Sequence, residues 1–534
     1  MDDLPEAVVT EIVKKITRTS DLNSIFLVSK GLYTIEGSQR GVLSALVLVF
    51  ALLQSINITV CQVHKFAEIG NRLLWLNSTP QITSIGLFSV AVGCTSLSAL
   101  HLIDCEKIDS VEWLEYLGSH GSLEELVVKN CKGINHHDFL KFGSGWMKLQ
   151  KFEFERKRVI YDFSLGSYCK TLVSLRLNSA PKITSIGLFS VAVGCTSLSA
   201  LHLIDCEKID SVEWLEYLGR DGSLKELVVK NCKGINHHDF LKFGSGWMKL
   251  QKFEFERKRV IYDFSLGCEY SDPSYNAHSM DIYDFCCESL KNLRLAHIKT
   301  WPEIGLRVLL GKCKALENLW LEYVRALNDY DMIALSRSCS NLKSISLWLN
   351  LQRHCSEDGY CETRTSFTDN SLYALALNCP MLQIVDLRFT GCSRDWPSEI
   401  GFTQEGFLAL IQSCPICVLV LNTANFFDDK GMKALSSSPH LETLELILCH
   451  WVTDTGMRFI AHTPCLSNLT LWACHKVTDV GVAELGHAHK LESLVIEHCG
   501  RVSLQAAQGV TKSVHYSSKC SDALMEKIGL IDEY

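Results

Sequence analysis

From Leu172 onward the chain keeps returning to one pattern, L-x-x-L-x-L, and this periodicity restricts its folds more than any other property. The pattern opens at Leu172, Leu198, Leu224, Leu250, Leu290, Leu316, Leu342, Leu382, Ile416, Leu441, Leu466 and Leu491, mostly 25 or 26 residues apart. Three units are longer, with extra residues at 268–289, 350–367 and 391–402. A unit this short cannot bury an apolar face alone, so successive units must stack. At 534 residues the chain is too long for one ordinary globular core, whereas a stacked array grows in one dimension. Hydrophobic content of 47% with only ten prolines agrees with an ordered chain.

The unit 466–490, LSNLTLWACHKVTDVGVAELGHAHK, shows how each repeat folds. Leu469 and Leu471 alternate as in a short strand, which sends Asn468, Thr470 and Trp472 to the opposite face. Val477-Thr478-Asp479 supplies a helix start, and Val482 and Leu485 continue with helical spacing.

Cysteine use follows the same frame. Of 24 cysteines, seven close a strand: Cys105, Cys131, Cys206, Cys232, Cys449, Cys474 and Cys499. Another seven stand three residues before the next opening: Cys94, Cys169, Cys195, Cys287, Cys313, Cys339 and Cys379. Thiols at two recurring positions read as small buried residues rather than a disulfide framework. Met1-Asp2-Asp3 lacks the basic and apolar regions of a signal peptide, so a cytoplasmic or nuclear, reducing location is expected.

Spacing, cysteines and V-T-D-x-G helix starts together resemble the cysteine-containing leucine-rich repeats. That resemblance implies an α/β solenoid, curved, with parallel strands on the concave side and helices on the convex side. About sixteen repeats would fill 71–515, leaving 516–534 as a tail.

Residues 82–166 recur at 183–267, and over these 85 positions only three differ: Ser119/Arg220, His120/Asp221 and Glu124/Lys225. Surface and core match equally well, which packing alone does not require. A recent duplication of four whole units is the simplest cause, and a stacked array accepts one without losing register.

Residues 1–40 are different. Asp3-Leu4-Pro5-Glu6 has helix-start chemistry, and Val9, Val13 and Ile16 follow on one face. Ser20-Asp21 restarts a helix carrying Leu22, Ile25, Phe26, Leu32 and Tyr33. LPEAVVTEIVKKI followed by SDLNSIFLVSKGLYTIEGSQR resembles the F-box, an all-α segment. The resemblance implies docking on a Skp-type adaptor through Leu4, Pro5, Leu27, Val28, Leu32 and Tyr33. Ser29, Gly31 and Leu32 depart from the family's cysteine, arginine and tryptophan. An F-box joined to such repeats is similar to the F-box/leucine-rich-repeat proteins of plants and animals. Those are non-catalytic substrate-recognition subunits that bring targets to a cullin-based ubiquitin ligase. A repeat scaffold without ligase coupling is the alternative.

Between the two regions, 41–70 is atypical, and Gly41–Val63 contains no charged residue. A membrane helix, a capping helix over the first repeat and a product of gene rearrangement all fit it. Gln54, Asn57 and Gln62 weaken the membrane reading.

On the expected concave face one position reads Arg176, His202, Val228, Glu254, Arg294, Trp320, Ser346, Asp386, Val420, Glu445, Thr470 and Val495. Neighbouring positions add Tyr323, Trp348, Arg388, Phe389 and Trp472. Aromatics beside arginines compose protein-binding hot spots, which points to Arg294, Trp320, Tyr323, Trp348 and Arg388 as the substrate-binding residues. The long inserts leave room for a small-molecule co-ligand. No cofactor is expected, and His354, Cys355 and Cys361 lack the paired spacing of a zinc site. A net charge of −8 argues against a nucleic-acid partner. No G-x-x-x-x-G-K-[ST], G-x-S-x-G or H-E-x-x-H occurs, so an enzyme is not expected.

Overall fold

The computed structural model describes residues 73–518 apart from 78–81, 95, 135, 156–169, 181–182, 210, 222, 258–286, 299–309, 325–326, 356–360 and 392–398. The F-box-like stretch 1–40, with Leu4, Pro5, Leu27, Val28, Leu32 and Tyr33, and the run 41–63 lie outside the described residues. Two compact units divide between Gly246 and Trp247.

In the first unit the strands are β1 (Leu73–Asn77), β2 (Ala99–Ile103), β3 (Glu125–Lys129), β4 (Lys151–Glu155), β5 (Ser174–Asn178), β6 (Ala200–Ile204) and β7 (Glu226–Lys230). The second holds β8 (Lys252–Glu256), β9 (Asn292–Ala296), β10 (Asn318–Glu322) and β11 (Ser344–Asn350), then a hairpin of β12 (Gln352–Cys355) and β13 (Cys361–Arg364). It continues with β14 (Ile384–Thr390), β15 (Val418–Asn422), β16 (Thr443–Ile447), β17 (Asn468–Trp472), β18 (Ser493–Glu497) and β19 (Ser513–Ser517). Within each unit the repeat strands pair in parallel with the strands of adjacent repeats, and among the described residues the hairpin alone is antiparallel.

Register follows the leucines. Leu469 faces Leu444 and Leu494, and Leu471 faces Leu446 and Ile496. Leu469 and Leu471 are 1% and 0% exposed, so the alternation read from sequence sorts the two faces of β17 correctly. After most strands the chain turns through one residue in the left-handed region, such as Asp104 (φ 52°), Asn231 (φ 55°) or Leu448 (φ 53°). The amide of this corner residue donates to the next repeat, as Leu448 does to the Trp472 carbonyl at 2.8 Å.

The cysteine that follows turns inward. Cys474 Sγ donates to the Leu446 carbonyl at 3.4 Å and Cys499 Sγ to the Leu471 carbonyl at 3.6 Å, each reaching the preceding repeat. Cys105, Cys131, Cys206, Cys232 and Cys449 do the same. The second cysteine row also stacks: Cys379 Sγ reaches the Cys339 carbonyl and Cys414 Sγ the Cys379 carbonyl. Cys414 stands two residues before its strand opening rather than three, so spacing alone left it out of the row. None of the sixteen described thiols is in a disulfide. Burial pushes Cys339, Cys379 and Cys449 up to about 12, which keeps them protonated.

A second inter-repeat contact lies at the helix starts. Asp454, first residue of the helix Asp454–Ile460, accepts from Thr478 N and from Thr478 Oγ1, both at 2.7 Å. Thr478 in turn caps its own helix by accepting from Val480 N at 3.2 Å. The same clasp joins Asp329 to Thr368, Asp369 to Thr403, Asp429 to Thr453 and Asp479 to Ser503. It also explains the glycine of the motif. A Cβ on Gly481 would lie 2.4 Å from Asp454 Oδ1, and one on Gly456 would lie 2.5 Å from Asp429 Oδ1.

One sequence expectation changes. The tail placed at 516–534 begins later, because β19 continues to Ser517 and Tyr516 Oη donates to the Val502 carbonyl at 2.9 Å. Residues 136–147 form a 3-10 helix, kinked where Gly143 takes φ 52°. There a Cβ on Gly118 would lie 1.9 Å from the Phe142 carbonyl oxygen, so the turn packs directly on the helix Glu112–His120.

Replacing Asp454 with alanine removes two charge-assisted bonds from a stacked junction. The expected loss is ~2 kcal/mol in urea unfolding, against almost none for the exposed Glu492→Ala. An equal effect of the two substitutions would mean that the clasp adds nothing.

Candidate interaction face

Strands β9, β10, β11 and β14 are neighbours, although the hairpin and the helix Asp369–Asn378 intervene in sequence before β14. Register places Arg294 opposite Trp320 and Trp348 opposite Arg388, all on the face turned away from the leucines. The result is a continuous row. The Arg294 guanidinium lies 5.2 Å from the Trp320 ring centre, Trp320 and Trp348 are 5.6 Å apart, and Arg388 lies 4.6 Å from Trp348. Each such contact contributes roughly 0.5–2 kcal/mol when partly desolvated.

Acids flanking the row hold its arginines in place. Arg294 pairs with Glu256 at 2.7 Å and Glu322 at 2.9 Å, and Arg388 Nε pairs with Asp386 at 2.9 Å. Ser346 donates to Asp386 at 2.9 Å and accepts from Trp348 Nε1 at 3.1 Å. Burial opposes the Arg294 charge, but Glu256 and Glu322 outweigh it and hold the guanidinium above its ordinary value. Burial would likewise raise Glu322, yet His297 and Arg294 pull it below the usual carboxylate range. Trp320 Nε1 is buried without an acceptor. Beside it lies a cavity of about 190 Å³, whose lining includes Lys252, Asn292, Asn318 and Ser344.

Tyr323 joins the group from a different place. It occupies the left-handed corner after β10 (φ 48°), from which its ring meets His297 at 5.2 Å and Trp348 at 6.3 Å. Because most repeats carry such a corner, the strain belongs to the repeat rather than to the site.

The five residues singled out in the sequence, Arg294, Trp320, Tyr323, Trp348 and Arg388, are thus brought together. Phe389 is not among them. β14 runs for seven residues, alternation turns Phe389 inward, and it is 1% exposed against Phe402 and Phe426. Val420 and Trp472 also differ from expectation, being covered with Ile447 and Ala473 in a separate apolar cluster. Sequence reading missed Glu256, Glu322 and His297. Aligning the last strand position of each repeat beside Arg294 would have found the two acids.

No three His, Cys, Asp or Glu side chains converge to hold a metal among the described residues. The side chains of His354, Cys355 and Cys361 are outside that description. Among the described residues no helix is long and apolar enough to cross a membrane.

The Glu322 shift has a defined sign. Its folded value is lowered, so the stability it contributes is present above the ordinary carboxylate range and lost as pH falls through the lowered value. Glu322→Gln should therefore destabilise the protein at neutral pH and lose most of that difference in strong acid. A difference independent of pH in urea midpoints would contradict the assignment.

A leucine-rich-repeat family model matches residues 437–461. Solved structures to which the chain is similar include the Rad7–Elc1 complex of yeast, at 13% identity over 95% of this chain and 96% of that one, TM-score 0.41. An internalin (InlF) of Listeria monocytogenes is 12% identical over 90% of this chain and 95% of its own, TM-score 0.32. A TLR13–ssRNA13 complex is 14% identical over 80% of this chain and half of that one, TM-score 0.42. The repeat match at residues 437–461 and the stacked parallel strands together make the fold a leucine-rich-repeat solenoid.

Proposed function

We propose that this leucine-rich-repeat protein is the substrate-recognition subunit of a Skp–cullin–F-box ubiquitin ligase, holding a target protein on its repeats for ubiquitination and proteasomal degradation. At the coarser level, the fold is that of a protein-interaction scaffold. The observation that carries the reading is the Arg294–Trp320–Trp348–Arg388 row, pre-set by Glu256, Glu322 and Asp386. Rigid aromatics and arginines held in place before binding lose little freedom on contact, which suits a hot spot for a protein partner. Ligase coupling is supported by the F-box-like residues Leu4, Pro5, Leu27, Val28, Leu32 and Tyr33. In this role the chain performs no bond chemistry; it positions a target near the charged conjugating enzyme. Ser29, Gly31 and Leu32 favour a second reading, a repeat scaffold without ligase coupling.

A pull-down with a Skp-type adaptor separates the two. The wild-type chain is expected to bind, and Leu4→Ala/Pro5→Ala and Leu32→Asp to lose binding. Trp348→Ala should leave adaptor binding intact while weakening the captured target by ~2 kcal/mol, roughly thirtyfold. A folded wild-type chain that fails to bind the adaptor removes the ligase reading and leaves the scaffold.

A further inference from the structure

HCSEDGYC (354–361) contains two cysteines that occupy neither recurring position of the repeats. In the fold they form the last rung of the antiparallel hairpin, with Cys355 directly across from Cys361. In either kind of antiparallel rung the Cα atoms are about 4.5 or 5.5 Å apart, inside the about 4.4–6.8 Å that a disulfide spans. Five residues separate the pair in sequence, so closing the loop costs little chain entropy. Both feet of the hairpin are anchored. β11, which carries Trp348, enters β12 through Leu351 alone, and beyond β13 Thr365 N donates to the Glu399 carbonyl and Thr365 Oγ1 accepts from Gly401 N, both at 2.9 Å. The rung is therefore held in register by structure on each side.

We propose that Cys355 and Cys361 are a reversible disulfide site, oxidised by a low-molecular-weight disulfide such as glutathione disulfide. The repeat cysteines differ in kind. They lie in parallel rows inside the core, where the hydrogen bond with Cys499 and then burial raise Cys474, and burial raises Cys449, so that both stay protonated. In the proposed reaction one hairpin thiolate attacks a sulfur of glutathione disulfide, forming a mixed disulfide and releasing one glutathione thiolate. The second hairpin thiolate attacks the protein sulfur of that mixed disulfide, closes the Cys355–Cys361 bond and releases the second glutathione. Two protein thiols are oxidised, one glutathione disulfide is reduced to two glutathiones, and the two thiol protons pass to them. The bridge ties β12 to β13 at the last paired rung, in a segment that leads directly out of the strand bearing Trp348.

The test uses the full chain equilibrated in glutathione buffers of increasing oxidised fraction, then denatured, alkylated and digested with trypsin. Cleavage after Arg353 and Arg364 releases His354–Arg364, which contains these two cysteines and no others. The expected result is a peptide lighter by two hydrogens than the dithiol and resistant to alkylation, at ratios where Cys449, Cys474 and Cys499 are still fully alkylated. Cys361→Ser should instead retain one glutathione on Cys355. Alkylation of both hairpin cysteines in fully oxidising buffer, or a bridge from either one to another cysteine, overturns the proposal.

Discussion

An aspartate at the start of one helix grips the threonine or serine that starts the next, and in the second unit the stacking of repeats depends on this clasp. Each residue of the T-D-x-G motif then has a physical task. Threonine caps its own helix and donates backward, aspartate accepts from the following repeat, and glycine leaves space for the preceding aspartate. The clasp fixes the step between repeats at the helix starts, as the thiol-to-carbonyl bonds do at the strand ends. Where it lapses, the chain compensates with packing. Gln404 stands in the aspartate's place and its Nε2 has no partner, Asp428 replaces the threonine, and the space over Gly431 is taken by the Phe427 ring.

A fixed step turns residues distant in sequence into neighbours. Trp348 and Arg388 are separated by the hairpin and a helix, yet register sets them side by side. The open face from β9 to β14 is consequently a row of flat rings and guanidinium groups whose charges are already met by Glu256, Glu322 and Asp386. Such a row offers broad, rigid, weakly hydrated area with little net charge of its own. The apolar cluster of Val420, Ile447, Trp472 and Ala473 shows the other use of the same strand positions, where side chains cover one another.

The repeat, its strand alternation and its helix starts were legible because they recur. Leu469, Leu471, Thr478 and the strand-closing cysteines each sit where a 25-residue period places them. The row of Arg294, Trp320, Trp348 and Arg388 was legible for the same reason, since a fixed register follows from aligned leucines. What escaped was local. Nothing in the period marks β14 as two residues longer, which turns Phe389 inward, or sets a 3-10 turn at Gly143. Asp479 was read as part of a helix start, but its bonds to Ser503 require knowing how the next repeat stacks. Glu256 and Glu322 lie one strand to either side of Arg294, a relation visible only across repeats.

Whether the helix starts are locked to one another decides how the repeats are held in step. Amide hydrogen exchange of the folded chain measures this at the donors themselves, Thr453, Thr478 and Ser503. Bonded into the clasp, these amides should exchange as slowly as those of β16 to β18 and open only with the strands. Fast exchange at the three positions beside well-protected strands would show repeats held by their leucines alone, with the clasp an incidental contact.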